Sequence, residues 1–436
     1  MKNFKKLGLL VIGLLATEGS SQSMLTVADA IKIAIESNYD VRIAKNDTEI
    51  AAVENSLLNS GYLPSVSASG NISYSDETQN VVFSDGSLTE VDDAVTESYN
   101  ASVTTEYTIF DGLERKFNVR KNAENLNYTK LQERQLIENT VVSIYETYYN
   151  VAYQAQVVQN LALTMTNSKD RLERSKKKLK YGQATKLDQL NAQVDLNNDS
   201  ISYASAYKDL KNAKRNLNLL LGREVTVPFE IDTIVTFSAL LDQGEVLSSA
   251  NENNISALLN RKNVLLSELD IKINKAKYLP KINGSASYNW NESQNPITSF
   301  ALENETYGIN LGLGLTWNLF DGGATKTRIK TSKITKANRQ IELYKAGEEL
   351  KTEVYNAYED YQNKQFAIKA EANNVLTNQL NFNRTKKQFG LGQIAAVEYR
   401  QAQINLFNAL NNAAKAKYDL KIAEINLLQL AGKLVD

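Results

Sequence analysis

The chain has 436 residues, with 49 Lys and Arg against 50 Asp and Glu, and it contains no Cys, no His and only four Pro. A net charge of -1 gives no case for nucleic-acid binding, which uses a basic patch or stripe. Without Cys and His, disulfides, the usual zinc sites, thiol nucleophiles and imidazole bases are excluded, so we expect no catalytic residue, cofactor or metal. The scarcity of Pro predicts long, uninterrupted elements, because Pro breaks helices.

The first residues are typical of an export signal. Three lysines precede the apolar run 7–16, and small and polar residues follow it. This order of regions predicts a signal peptide over 1–21. The run is too short to span a bilayer, which needs about twenty apolar residues. A buried N-terminal helix is the alternative, but the lysines directly before the run favour export.

The rest of the chain contains an internal twofold repeat. Phe110-Asp111-Gly112 returns as Phe320-Asp321-Gly322, an offset of 210 residues (110 to 320). Tyr62-Leu63-Pro64 returns as Tyr278-Leu279-Pro280, an offset of 216 residues (62 to 278), so one loop is longer in the first half. A single long repeat predicts two similar halves rather than an array of short units. We place the halves and the equatorial connector between them at 22–222, 254–436 and 223–253.

In each half a helical pattern changes to an alternating one at a proline. The first such helix covers 26–61, and the residue before Pro64 or Pro280 is pushed towards extended geometry. Period-two alternation then predicts four strands, each with one apolar face and one small or polar face. The strands are 64–76, 98–110, 280–292 and 306–320. Between the first two, 76–98 is acidic and is predicted to be a solvated loop.

Two very long helices follow the strand pairs. Asp111 and Asp321 are placed to cap their N-termini. Segments 113–180 and 324–389 contain no Pro, and helices of that length extend about 100 Å at ~1.5 Å per residue. A helix this long normally pairs with others.

Short turns containing Gly then reverse the chain, and the returning helices carry apolar residues at alternating spacings of three and four. The sequence therefore predicts two long helical hairpins, 112–222 and 322–432. Their apolar seams pair with each other, so they leave nothing to cover the apolar faces of the strands.

The apolar faces of the strands can be buried in one of two ways, against the core of a soluble domain or in lipid. Membrane strands need about 9–11 residues, an apolar outward face and aromatic residues near the interfaces. Aromatic residues lie at or near the strand ends: Tyr74, Tyr99, Tyr107, Tyr288, Trp290, Tyr307 and Trp317. The pattern favours a membrane barrel over a small soluble sheet. Four strands cannot close a barrel, because the smallest known have eight, so copies of the chain must share one. Composition does not choose between two copies and three.

The order and spacing of these features resemble the TolC-like outer-membrane efflux proteins. The resemblance rests on the paired Tyr-Leu-Pro and Phe-Asp-Gly landmarks, the twofold repeat and the Gly-containing tips, and it covers essentially the whole mature chain. It implies an α+β membrane protein, a homotrimer whose twelve-stranded barrel, four strands per protomer, lies in the cell outer membrane. The barrel would continue into a long α-helical coiled-coil tunnel in the periplasm.

The same resemblance implies a function without catalysis. The protein would be the outer-membrane exit duct of a tripartite efflux or type I secretion system, conducting substrates passively. Its implied partners are a periplasmic adaptor (membrane fusion) protein, an inner-membrane RND, MFS or ABC pump, and outer-membrane lipid.

The resemblance also places a periplasmic gate at the turns between the long helices. Its acidic constriction maps to Glu398, with a second position at Gln401, where an acid is expected. Three copies of Glu398 around a threefold axis would repel anions and bind a cation; the alternative is an exposed acid on a solvated helix face. The acid of the closed-gate lock maps to Asp188, but its Tyr and Arg partners map to Phe389 and Ile394. Neither side chain can form that salt bridge, so the lock must differ or be looser.

Adaptor docking is expected at the same two turns. The residues that we assign to it are Gly182, Gln183, Leu187, Gly392 and Gln393. The simpler interpretation of the two glycines is helix C-capping, which needs left-handed backbone geometry. The two roles are compatible.

Two functions from other classes remain open. A periplasm-spanning coiled coil that conducts nothing would explain the helices but not the alternating strands. A secreted enzyme or binding module would need convergent catalytic groups, and none is visible. Within the transport hypothesis, the substrate (drug, metal or polypeptide) and the identities of pump and adaptor depend on other chains.

Overall fold

The computed structural model describes residues 24–238 and 242–435. The signal peptide predicted over 1–21 lies outside the described residues. In chain order the elements are β1 (Met24–Leu25), α1 (Val27–Ser37), α2 (Tyr39–Glu54), β2 (Ser65–Val82), β3 (Leu88–Phe110), α3 (Glu114–Lys180), α4 (Lys186–Leu220), β4 (Glu230–Ile231), α5 (Gln243–Asn253), α6 (Ile255–Ala276), β5 (Lys281–Gln294), β6 (Glu303–Thr316), α7 (Ala324–Gly390) and α8 (Ala396–Leu430). Across the described ranges, no helix combines the length and the hydrophobicity that crossing a bilayer requires.

The chain divides into two compact units. Of the described residues, 24–39, 139–238 and 359–426 form the first unit, and 40–138, 242–358 and 427–435 form the second. In the first unit β1 and β4 pair in parallel, with Leu25 opposite Ile231. The hydroxyl of the buried Tyr148 lies 2.8 Å from the carbonyl oxygen of Leu25 and 3.0 Å from that of Asp232. This tyrosine thus holds both short strands against α3.

The helix predicted over 26–61 is interrupted in the structure. Asn38 separates α1 from α2, and its side-chain amide donates to the carbonyl of Leu220, the last residue of α4, at 2.7 Å. In the second unit Asn254 separates α5 from α6, and its amide donates to Leu430, the last residue of α8, at 3.1 Å. Helix α5 lies inside the segment predicted as the connector, 223–253, so that segment contains a helix that the sequence analysis did not predict.

The second unit contains one antiparallel sheet with the strand order β2-β3-β5-β6. Facing residues share a side of the sheet, and the apolar sets coincide: Tyr288 pairs with Ile309 and Trp290 with Tyr307. Every residue of β6 is exposed, and Leu311 reaches 80%. The apolar face of this strand is therefore not covered within the described protomer, which argues against a soluble sheet packed on a core of its own chain.

The strand boundaries differ from the predicted ones. Strands β2 and β3 extend to Val82 and back to Leu88, so most of the predicted loop 76–98 is strand. The turn between them closes with the Phe83 N–H donating to the Ser87 carbonyl at 2.9 Å. Strand β6 ends at Thr316 rather than at 320. The next residue, Trp317, donates its indole N–H to the carbonyl of Tyr278 at 3.0 Å instead of continuing the ladder.

The two long helices begin at Glu114 and Ala324, and the predicted aspartates before them accept hydrogen bonds from their first turns. The carboxylate of Asp111 accepts the backbone N–H of Arg115 at 2.9 Å, and that of Asp321 accepts the N–H of Thr325 at 2.7 Å. The helices that follow, α3 and α7, each have 67 residues, and their return helices, α4 and α8, each have 35. The two hairpins are therefore equal in length.

Candidate functional site: the helical hairpin tips

Both long helices end in the same backbone turn. Gly182 and Gly392 have φ values of +72° and +76°, the left-handed region that favours glycine. The next residue in each turn donates its N–H back to the helix: Gln183 to the Lys178 carbonyl at 2.8 Å, and Gln393 to the Gln388 carbonyl at 3.0 Å. This is Schellman-type capping. A Cβ added at either glycine would meet no atom within 4 Å, so the space around both turns is open.

The first tip, 181–185, leads into α4 through a capping box. The hydroxyl of Thr185 accepts the N–H of Asp188 at 3.1 Å, and the Asp188 carboxylate accepts the N–H of Thr185 at 2.9 Å. The Thr185 hydroxyl also donates to the Asp188 carboxylate at 2.7 Å, and this bond, together with the one from the Thr185 N–H, lowers the pKa of Asp188. The structure thus uses this predicted gate acid as a local cap. Leu187, next to it, is exposed.

The second tip, 391–395, is closed by an aromatic cluster. The ring of Phe389 stacks on that of the buried Tyr399 with centroids 4.9 Å apart, and Phe382 contacts Tyr399 from another side at 5.7 Å. Ile394 packs against the same cluster. Burial raises the pKa of Tyr399. The two positions that cannot form the expected salt bridge therefore fasten α7 to α8 by apolar contacts.

A cavity of about 700 Å³ lies between the two tips. Six of the ten predicted site residues line it: Gln183, Asp188, Phe389, Gly392, Ile394 and Gln401. The other four, Gly182, Leu187, Gln393 and Glu398, are exposed and do not line it. The two turns of one protomer therefore form one shared recess.

The proposed constriction residues lie on the first turns of α8. Glu398 is exposed, and it makes no hydrogen bond or ion pair with any residue in 24–238 or 242–435. The side-chain amide of Gln401 donates to Asn405 at 2.8 Å, one turn further along the same helix. The Glu398 carboxylate is thus available to solvent or to another copy of the chain.

Sequence reasoning missed a charged network directly behind the tips. Arg400 holds Asp199 with two hydrogen bonds, of 2.6 and 2.8 Å, and Ser168 donates its hydroxyl to the same carboxylate at 2.6 Å. Arg171 pairs with Asp195, one turn before Asp199. Asp199 is only 5% exposed. The network joins α3, α4 and α8; the spacing of the two acids on α4 was its one sequence signal.

The model of the family described as outer membrane efflux protein matches residues 30–223 and 246–433 of this chain. The chain belongs to this family. It is accordingly a protein of the cell outer membrane with a helical portion in the periplasm.

Curated relatives are similar at low identity. The outer membrane protein TolC of Vibrio cholerae is 23% identical over 266 residues, which are 60% of this chain and 60% of that protein. The outer membrane efflux protein BepC of Brucella suis is 29% identical over 215 residues, 47% of this chain and 44% of that protein. The alkaline protease secretion protein AprF of Pseudomonas aeruginosa is 22% identical over 94% of this chain and 85% of that protein. The chain thus spans less than two thirds of the first two relatives.

Solved structures share the fold. The Campylobacter jejuni CmeC outer membrane channel has a TM-score of 0.77 at 12% identity, covering 100% of this chain and 94% of that one. The open-state Neisseria gonorrhoeae MtrE outer membrane channel has a TM-score of 0.71 at 15% identity, covering 94% and 89%. At these identities the likeness is one of fold.

Proposed function

We propose that this protein is the exit duct of a tripartite efflux or type I secretion system, a homotrimer that conducts substrates passively through the outer membrane. The observation that carries the proposal is the sheet of the second unit. Its apolar face is uncovered in β6, and β2 and β6 lie at its two edges. Backbone groups at a sheet edge must be paired in hydrocarbon, so membrane strands form closed barrels.

Closing the barrel needs further copies of the chain. Three copies give twelve strands, which leave a lumen, whereas the smallest barrels of eight strands are filled by side chains. The face of β6 opposite the apolar one consists of small or polar residues: Gly308, Asn310, Gly312 and Gly314. Such a face suits a water-filled interior. The equal hairpins and the two segments matched by the family model support an internal duplication that places two strand pairs and two hairpins in each protomer.

In this proposal the tips form the periplasmic gate and the docking site of an adaptor protein, which links the duct to an inner-membrane pump. Glu398 stands free on α8 and would form the acidic ring around the threefold axis. The apolar contacts of Phe389 and Ile394 with the cluster around Tyr399 stabilise the second tip in place of the salt-bridged lock. Exposure of both turns, with open space at Gly182 and Gly392, suits docking.

Planar-bilayer conductance of the detergent-purified protein, with native mass determination of the same sample, tests the proposal. We expect small, cation-selective currents from a trimer. Glu398→Ala should give larger and less cation-selective currents, because it removes the ring of negative charge. Asp419→Ala is the matched control, since it removes one carboxylate from the same helix at a position paired with Lys415 at 2.7 Å, and its currents should equal those of the wild type.

Other outcomes would overturn parts of the proposal. A monomer without conductance would contradict the duct and favour a periplasm-spanning coiled coil that conducts nothing. A conducting trimer in which Glu398→Ala and Asp419→Ala behave alike would keep the duct and remove the acidic ring from α8.

A further inference from the structure

The end of the first hairpin is strongly basic, although the whole chain has a net charge of only -1. Residues 169–188 contain three acids, Asp170, Glu173 and Asp188, against a much larger set of basic side chains. The basic set is Lys169, Arg171, Arg174, Lys176, Lys177, Lys178, Lys180 and Lys186. The positive potential is therefore concentrated at the tip.

The cavity between the tips lies within this basic region. Four cations line it, namely Arg171, Arg174, Lys178 and Arg400, against the acids Asp188 and Asp195. Asp188 is used in the capping box of α4, and Asp195 is paired with Arg171. Arg174 forms no hydrogen bond or ion pair with the described part of the chain. Arg400 is paired with Asp199, so Arg174 and Lys178 supply the positive charge that remains in the cavity.

Two donors in the wall of the cavity lack the partners that buried groups normally have. Arg171 is 7% exposed, and its Nε is buried without an acceptor among the described residues; the same holds for the Oγ of Ser175. An unsatisfied buried donor destabilises the fold, and it does so more strongly if it is charged. Burial, and secondarily the charge of Arg400, lower the pKa of Arg171. Asp195 is the one acid paired with Arg171, so a carboxylate entering the cavity would add an acceptor and a second negative charge beside the Arg171 and Arg400 guanidinium groups.

We infer that the cavity between the tips is the docking site for an acidic segment of the periplasmic partner protein, whose carboxylates are bound by Arg171 and Arg174. The inference rests on the proposed function, in which a partner docks at the tips, and it specifies the chemistry of that partner. Apolar side chains of Val194, Ile394 and Val397 in the same wall suit the stems of inserted Glu or Asp side chains. Arginine matches this task because its planar guanidinium binds carboxylates bidentately.

The shape of the site favours a polypeptide over an anionic membrane surface. The lysines around the turn would attract any polyanion, but Arg171 is recessed in the cavity wall. A flat layer of lipid head groups cannot reach a buried guanidinium, whereas a side chain projecting from a helix or turn can enter the cavity. A polypeptide also makes use of the apolar part of the wall.

The test measures binding of a short fluorescent oligo-glutamate peptide to the full-length protein in detergent. We expect salt-sensitive binding to the wild type, no binding of an oligo-lysine peptide, and affinity reduced about tenfold or more by the double variant Arg174→Glu and Lys178→Glu. The matched control is Lys177→Glu with Lys180→Glu. It makes the same change in charge on exposed residues of the same helix that do not line the cavity, and it should bind within about twofold of the wild type.

Three results would overturn the inference. Equal weakening by the two double variants would show attraction to the basic field rather than a site. Binding of phosphatidylglycerol vesicles that competes with the peptide and is weakened by the same cavity variant would assign the site to lipid. Absence of peptide binding to a trimer that conducts ions would remove the acidic partner and leave the duct intact. Native mass determination of each variant establishes that it is assembled.

Discussion

Glycine ends all four helices of the two hairpins, but the surroundings of these glycines differ. Gly222 and Gly432 have φ values of +69° and +68°, nearly those of the tip glycines, and the residue after each also donates its N–H back to the helix. The two pairs of glycines differ in the free space around the position that a Cβ atom would take. A Cβ on Gly222 would overlap the backbone carbonyl of Ser37, and one on Gly432 would overlap that of Asn253, whereas the tip glycines have nothing within 4 Å.

The same contrast holds for two aspartates on α4. Asp188 at the open tip caps its own helix, while Asp199, three turns further along, is buried and held by Arg400. The same glycine turn and the same residue type, aspartate, therefore occur both in a packed environment and in an open one. Where the turn is packed, the residue is fixed by contacts with other elements. Where the turn is open, only local conformation constrains it, and the surrounding space is free for a partner.

The largest effect is expected at the packed turns. Gly222→Ala adds backbone overlap to left-handed strain and should cost about 5 kcal/mol, enough to abolish assembly. The measurement is the yield of assembled protein in the outer membrane and its thermal unfolding. Gly347→Ala is the control, because this glycine lies inside α7 with open space around its Cβ position, and alanine should stabilise the helix by about 1 kcal/mol. If Gly222→Ala were as stable as the wild type, the turn at Gly222 would not be more tightly packed than the turns at the tips.

An intermediate effect is expected for the buried aspartate. Asp199→Asn removes the charge of the buried carboxylate that Arg400 holds and leaves Arg400 only the more distant Asp195, at 3.9 Å, so it should destabilise the protein by about 3 kcal/mol. Asp188→Asn should cost less than about 1 kcal/mol at pH 7, because Asn at this N3 position can still accept the N–H of Thr185 and only the favourable negative charge at the helix N-terminus is lost. Thermal unfolding of both variants gives the comparison.

The dependence of stability on acid pH provides a second test of Asp188. The pKa of Asp188 is lowered in the folded state, so its contribution is present above its unfolded pKa and is lost as the pH falls through its folded value. Asp188→Asn should remove this acid sensitivity of the tip. Equal destabilisation by Asp188→Asn and Asp199→Asn would show that the tip is as tightly packed as the part of α4 around Asp199.

The smallest effect is expected at the open turn itself. Gly182→Ala places a Cβ in left-handed geometry without overlap and should cost about 1–2 kcal/mol locally, and Gly182→Asn should cost less. Hydrogen exchange over residues 178–186 should rise while the global unfolding temperature stays close to that of the wild type. A loss of assembly in Gly182→Ala would mean that the first tip is covered by another copy of the chain in the proposed trimer.

Local patterns predicted those parts of the fold that depend on neighbouring residues. Alternation placed Ile309 and Leu311 on one face of β6, and Gly182 and Gly392 marked the reversals. Local sequence patterns did not predict the parts of the structure that tertiary contacts determine. The acids at 76–98 hid the extension of β2 and β3, because charged residues in a strand lack the apolar alternation on which the prediction relied.

The breaks at Asn38 and Asn254 went unseen for a related reason, since their cause is a hydrogen bond to a helix end far along the chain. The offset between these two asparagines, 216 residues (38 to 254), equals that of Tyr62 and Tyr278, and it was the signal that could have revealed them. The pairing of Arg400 with Asp199 likewise depends on which helices pack together. That arrangement cannot be inferred from the spacing of residues along one helix.

Because the four-stranded sheet of the described protomer has two unpaired edges, its stability would depend on the concentration of the chain. Strands β2 and β6 each have a neighbour on one side only within the described residues, so in the proposed trimer further stabilisation of the sheet would come from other copies and would scale with their concentration. An excess protomer in the periplasm would present a long apolar edge strand, the kind of surface that chaperones shield and proteases remove. Copy number, as well as sequence, would then set how much of this protein reaches its working form.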